Sequence, residues 1–268
     1  IADSAKIILN SDSYSEEEIE KVQDDLDAIL DQNFNMQKGD VKKYVNLAND
    51  LKDYSENKTE ELEDEIEQEI LEIFQDVNLK NGVSEETVQA VKNAFEEIGV
   101  TEIPGKPNKG EMEKYQKYPD TSESGEPWCA SFVSWTYGEA QGSNNENTFG
   151  YNNAVRFIRE EAEEAGYYSL VSEYEPVAGD IMIQESNGAS HTGMVVKTDE
   201  NYIYTIEGNA GDAVRAKKYD KDGEAVGKIS GYVRMNEWNG STTNPFNIDY
   251  LANENYEDAD KDLEQSTL

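Results

Sequence analysis

Apolar residues recur at spacings of three and four through the first hundred positions of the chain, the period of a helix with one buried face. Ser15 followed by Glu18 forms a capping-box pattern, and Ile19, Val22, Leu26 and Ile29 then fall on one face. A second segment from Asp40 places Val41, Tyr44, Leu47, Ala48 and Leu51 together. A third, from Thr59, does the same with Leu62, Ile66, Ile70, Ile73 and Val77, with mostly Glu between them. The fourth starts at Ser84, carries Val88, Val91, Phe95 and Ile98, and stops at Gly99, a residue suited to the position just past a helix end. Each stripe is short and is separated from the next by polar residues. That predicts an antiparallel helical bundle over residues 1–100 rather than one long coiled coil.

The pattern changes at TEIPGKPNKG, where Pro, Gly and Lys punctuate the chain, and a domain boundary is expected there. Two helical stretches follow, PWCASFVSWTYGEA and NNAVRFIREEAEEAG, separated by a Gly- and Asn-rich loop. Strand patterns come next: DIMIQ, TGMVVKT, NYIYTIE, AVRAKKY and ISGYVRM, divided by Gly, Asn and Asp turns. Helices first and a meander of strands after them predict an α+β domain over 101–237. Residues 238–268, rich in Asn, Asp and Glu with little periodicity, read as an acidic tail or linker.

Charge narrows the partners. The 268 residues carry a formal net charge of -35, and the acid is densest in the two flanks. Phosphates would be repelled, so nucleic acid and anionic membrane surfaces are not expected as direct partners. The Glu runs of the helical region read first as solvated faces, with ion binding or docking of another protein as the minority reading. No stretch approaches the roughly 18 apolar residues that a spanning helix needs. One cysteine allows no internal disulfide, so pairing says nothing of the redox compartment. The chain opens on Ile1 without a visible export signal, and an already removed one fits an expected secreted or cell-wall location.

That one cysteine, Cys129, and the one histidine, His191, are the only thiol and imidazole available for nucleophilic catalysis. Pro127 suits a first helical position, which puts Cys129 in the first turn, where unpaired N–H groups and the helix dipole favour a thiolate. A lone cysteine is more often buried and inert; the helix start and its flanking motif reverse that preference. His191 opens a strand on which Gly193 and Val195 share its face, and Gly193 leaves space beside the ring for a substrate or a close backbone. On the next strand Ile203, Thr205, Glu207 and Asn209 share a face. Of Glu207 and Asn209, one can orient the imidazole while the other supports it or a developing oxyanion.

Taken together, WCASFVSW, AGDIMI, SHTGMVV, YIYTIEGN and ISGYVRM closely resemble the CHAP family, the cysteine, histidine-dependent amidohydrolases/peptidases, over residues 110–236. The resemblance implies a papain-like α+β domain with helices packed on an antiparallel sheet. It implies Cys129 as nucleophile and His191 as base, with Glu207 and Asn209 completing the site. The implied substrate is peptidoglycan, cut either at the amide joining sugar to stem peptide or within the peptides. The second oxyanion donor is either Asn209 or a polar neighbour on the Trp128 side. The polar segment EAQGSNNENTFG departs from the family pattern and is placed to reshape one cleft wall.

No cofactor is required by this chemistry. Some relatives carry calcium just before the cysteine, and here Asp120, Ser122 and Ser124 alternate ahead of Gly125, a weak candidate because Ser131 stands where an EF-hand loop would end in an acid. Asp258, Asp260 and Asp262 alternate likewise and are weaker still. Two alternatives to wall hydrolysis stand beside it: amide hydrolysis on a small peptide-like or polyamine conjugate, as amidases with a related domain perform and which the acidic surface would attract, and a non-catalytic binding module on the same scaffold. Retention of all four site residues speaks against the second.

Overall fold

The computed structural model of the chain describes residues 15, 19, 21–24, 39–59, 61–63, 65–66, 68–70, 72–73, 82–118, 125–142, 148–186, 188–241 and 256–265. The chain divides into two compact units, one of residues 1–78 with 247–254 and one of 79–246 with 255–268.

In the first unit, α1 (Gly39–Glu56) buries Leu47, Ala48 and Leu51 completely, as its stripe predicts. The described parts of 61–73 are helical and bury Ile66, Ile70 and Ile73. Thr59 Oγ1 accepts from the Leu62 N–H at 3.3 Å, satisfying one of the donors a helix start leaves open. Tyr54 donates to Glu63 at 3.1 Å and Gln23 to Ser55 at 3.1 Å, so these helical stretches are tied to one another. The capping acid Glu18 lies outside the described residues.

The second unit starts earlier than the Pro/Gly punctuation suggests. Helix α2 (Glu85–Glu96), capped by Ser84 through a 3.2 Å bond from the Thr87 N–H, belongs to it and not to the first unit. Its apolar face, Val88, Val91, Ala94 and Phe95, packs on α4 (Cys129–Ala140), and the buried Asn93 amide donates to the Thr136 carbonyl at 2.9 Å. Between them the short α3 (Glu113–Gln116) sets Tyr115 against Trp128, Phe132 and Trp135, with ring centroids 5.1–5.6 Å apart. Helix α5 (Val155–Ala165) ends on Gly166 at φ 81°, the left-handed position that glycine takes without strain.

Among the described residues the sheet has seven strands in the order β1-β6-β2-β3-β4-β5-β7. They are β1 (Tyr168–Leu170), β2 (Ile181–Ser186), β3 (Ala189–Thr198), β4 (Tyr202–Glu207), β5 (Arg215–Asp220), β6 (Ile229–Val233) and β7 (Glu257–Asp258). Five of the expected strands form where the alternation places them. The sheet is mixed rather than purely antiparallel, because β7 pairs with β5 in parallel through Lys217 and Lys218.

That pairing changes the reading of the C-terminal stretch. After β6 comes the short α6 (Met235–Trp238), and residues 256–265, expected in a tail, form β7 and α7 (Ala259–Gln265) and close the open edge of the sheet. Ala259 is buried with Met182, Val195, Ile203, Tyr219, Ile229 and Tyr232. The Lys217 ammonium, almost fully buried, reaches Glu257 at 3.0 Å and Asp262 at 2.6 Å. A buried cation needs such partners, and they tie the segment to β5. No helix among the described residues is long and apolar enough to cross a membrane.

Candidate active site

Cys129 is the first residue of α4, and Trp128 ahead of it is not yet helical. Apolar Phe132 and Val133, one turn on, drive that helix face into the core, so the thiol at the helix start is carried inward and is only 7% exposed. Trp128 is fully buried and its indole N–H donates to Glu102 at 2.8 Å. Glu102 also accepts from the Asn108 N–H at 2.6 Å. The segment read as a boundary therefore anchors the residue next to the cysteine.

His191 faces the thiol from β3 and is hydrogen-bonded to it. Its Nε2 lies 2.8 Å from Glu207 Oε2. The ring's other nitrogen, Nδ1, is thus the one left for the sulfur. Glu207 ends β4 with a side chain only 3% exposed. Its second oxygen, Oε1, accepts from Thr205 Oγ1 at 2.6 Å and from the Tyr219 hydroxyl at 2.7 Å. Both carboxylate oxygens are satisfied, as a buried charge requires.

These contacts decide the charges. Burial alone pushes the Cys129 thiol up, but the hydrogen bond and charge of His191, with the N–H groups of Ala130 and Thr192, outweigh it and hold the thiol below its ordinary value. Burial pulls His191 down, yet its bonds to Cys129 and Glu207 raise it to about 10. Burial likewise raises Glu207, and His191, Thr205 and Tyr219 bring it below the usual carboxylate range. Each contact favours the charged form of its neighbour: thiolate, imidazolium and carboxylate in a row.

Two glycines make the row fit. A Cβ on Gly193 would meet Glu207 Cγ at 2.5 Å, so the space beside the imidazole is taken by the carboxylate's own side chain rather than by substrate. A Cβ on Gly208 would meet Phe132 Cβ at 2.5 Å, so that glycine lets the end of β4 approach α4.

Of the four residues expected in the site, Cys129, His191 and Glu207 are joined by hydrogen bonds, and Glu207 is the one that faces the ring. Asn209 follows in the turn after β4 at φ 59°, a conformation Asn tolerates better than most residues. Its side chain makes none of the bonds within the trio. The calcium candidates Asp120, Ser122 and Ser124 lie outside the described residues. Asp260 accepts from the Ala225 N–H at 2.8 Å, Asp258 from the Asp260 N–H at 3.1 Å, and Asp262 pairs with Lys217, so that triplet is spent on structure. Among the described residues no group of three or more His, Cys, Asp or Glu converges as a metal site would.

Sequence reasoning missed Tyr219, Gln184 and Glu102. Gln184 is the cross-strand neighbour of His191 and donates to the Tyr219 hydroxyl at 3.0 Å. Strand register could have flagged Tyr219, which shares a face with Lys217 on the partner of β4. Nothing in TEIPG marks Glu102 as an indole acceptor.

Comparison with known proteins places the same stretch. Residues 121–209 match the family model described as CHAP domain. No curated protein matches the chain. Among solved structures it is similar to Ly7917 with the hydrolyzing product of MDP, at 15% identity and a TM-score of 0.33, covering 55% of this chain and 62% of that one. A second structure of Ly7917 matches at 12% identity and a TM-score of 0.35, covering 55% and 61%. The chain thus spans less than two thirds of the length of either. The segment that holds Cys129, His191, Glu207 and Asn209, residues 121–209, is a CHAP domain.

Proposed function

We propose that this chain is a cysteine-dependent amidohydrolase that cuts amide bonds of peptidoglycan. The observation that carries the reading is the Cys129–His191–Glu207 row, with its thiol at a helix start inside a CHAP domain. The thiolate of Cys129 attacks the scissile carbonyl carbon. As the C–N bond breaks, the Nδ1 proton of His191 passes to the leaving amine, and a thioester remains on Cys129. Neutral His191 then takes a proton from water, whose oxygen displaces the sulfur and frees the acid. Glu207 stays ionised throughout and holds the ring by Nε2. N–H groups of the first helical turn, which lack partners within the helix, supply oxyanion donors, with Asn209 as the side-chain candidate.

The chain works in this reading outside the cytoplasm, on the wall, and needs no cofactor for the acyl transfer. Purified cell walls incubated with the full chain, followed by mass spectrometry of the released material, test it. Fragments ending in new amines, absent with Cys129→Ala, are expected. Stem peptides freed from sugar would assign the muramoyl amide bond, and split peptides an endopeptidase. Walls left unchanged by a chain whose cysteine is demonstrably activated would move the substrate to a smaller amide.

A further inference from the structure

We infer that Tyr219 is a positioning residue of this site, holding the Glu207 carboxylate so that its free oxygen faces His191. The inference rests on the proposed Cys–His mechanism. Four observations carry it. The Tyr219 hydroxyl donates to Glu207 Oε1 at 2.7 Å, while the opposite oxygen, Oε2, meets His191. The tyrosine ring is 4% exposed and is wedged among Met182, Ile203 and Ala259, so the hydroxyl cannot swing away. Gln184 donates to the same hydroxyl at 3.0 Å, which commits the tyrosine's proton to the carboxylate. Gln184 in turn sits opposite His191 on the neighbouring strand, so the bonds run from β2 through β5 and β4 back to β3 beside their start.

A carboxylate on a two-bond side chain could otherwise turn its oxygens away from the ring. Thr205 supplies a second donor to Oε1 at 2.6 Å, from two residues earlier on the same strand. The titratable groups facing Glu207 are His191 from β3 and Tyr219 from β5, and Asp262 of α7 adds its negative field at Tyr219. Burial and the Glu207 charge keep the tyrosine well above its ordinary value, so it remains a neutral donor wherever the thiolate exists.

The chain's single cysteine and single histidine make the test a one-residue measurement. Iodoacetamide labelling of Cys129 is followed against pH in the full chain, in Tyr219→Phe, in Thr205→Val and in Gln184→Leu. The 15N spectrum of the one imidazole is recorded alongside. Tyr219→Phe keeps the ring and removes the donor. Its thiolate midpoint is expected to rise toward that of an ordinary thiol, and a rise of one unit reads as an about tenfold slower labelling below the midpoint. The imidazole should lose its proton at lower pH than in the unaltered chain, and turnover on released muropeptides should fall in kcat with KM unchanged. Thr205→Val, which leaves the tyrosine in place, should shift both midpoints the same way and less far, and Gln184→Leu, which frees the tyrosine's proton from its commitment to Glu207, carries the test should Tyr219→Phe fail to fold. An unaltered chain whose cysteine titrates as an ordinary thiol would sink the mechanism itself. A low midpoint in the unaltered chain that Tyr219→Phe does not move would overturn the positioning role alone.

Discussion

Cys129 and His191 each hold the other in its charged form, and this sets the pH range in which the site can act. The thiol lies below its ordinary value and the imidazole at about 10, so between those two points the pair is thiolate and imidazolium. Activity should therefore rise as pH passes upward through the lowered thiol midpoint and fall near pH 10. Stability follows the same window. The raised imidazole contributes fully below 6.5, its ordinary value, and its contribution is lost as pH climbs through about 10. The lowered thiol and Glu207 contribute above their ordinary values and lose that contribution as pH falls through the depressed ones. At neutral pH Cys129 should react with iodoacetamide faster than a peptide thiol, and His191→Ala should slow it. Cys129→Ser should abolish turnover and lower the melting temperature at neutral pH, since the imidazolium loses its thiolate partner. Equal labelling rates in the unaltered chain and His191→Ala would mean that no such pair exists.

The elements that present these residues were legible where chemistry repeats at short range. Alternation marked β2 to β6, and Ser84 and Gly99 bracketed α2 to within a few residues. Cys129 and His191 were legible too, because the chain offers one thiol and one imidazole, each in a short motif, while the choice between Glu207 and Asn209 as the residue that orients the ring stayed open. What stayed hidden is what depends on which element meets which. The space beside His191 looked open at Gly193, and only strand pairing shows that Glu207 fills it. Strands β1 and β7 are two or three residues long and leave no period to read. Gly193→Ala makes the geometric point testable. Its new methyl would stand 2.5 Å from Glu207 Cγ, so the carboxylate must shift from the ring. Overpacking of this kind costs about 1–3 kcal/mol. A melting-temperature drop together with slowed iodoacetamide labelling is expected. A variant that melts lower but labels at the original rate would show that Glu207 does not need its observed place.

At the scale of the whole molecule the catalytic unit is larger than the motifs suggest, because helix pattern alone cannot say which partner a helix packs on. Helix α2 has the same stripe as the helices before it, yet Val88, Val91, Ala94 and Phe95 are buried in the second unit. Residues 256–265 look like solvated acid, yet Glu257 and Asp262 neutralise the buried Lys217. A fragment of residues 101–238 lacks both pieces. Losing α2 uncovers the α4 face that it covers, at about 1.5–3 kcal/mol for each large apolar side chain exposed. Losing the C-terminal piece strips β5 of its edge partner, removes both carboxylates of Lys217 and uncovers the core around Tyr219 that Ala259 helps to close. Together these losses take a large share of the about 5–15 kcal/mol by which a domain is stable. The fragment 79–268 keeps every contact named here and is expected to melt in one cooperative step with fast-labelling Cys129. The fragment 101–238 should melt without a transition and label at the rate of a peptide thiol. Circular dichroism and labelling of the two side by side decide it, and a 101–238 fragment that melts like the longer one would place both α2 and the C-terminal segment outside the catalytic fold.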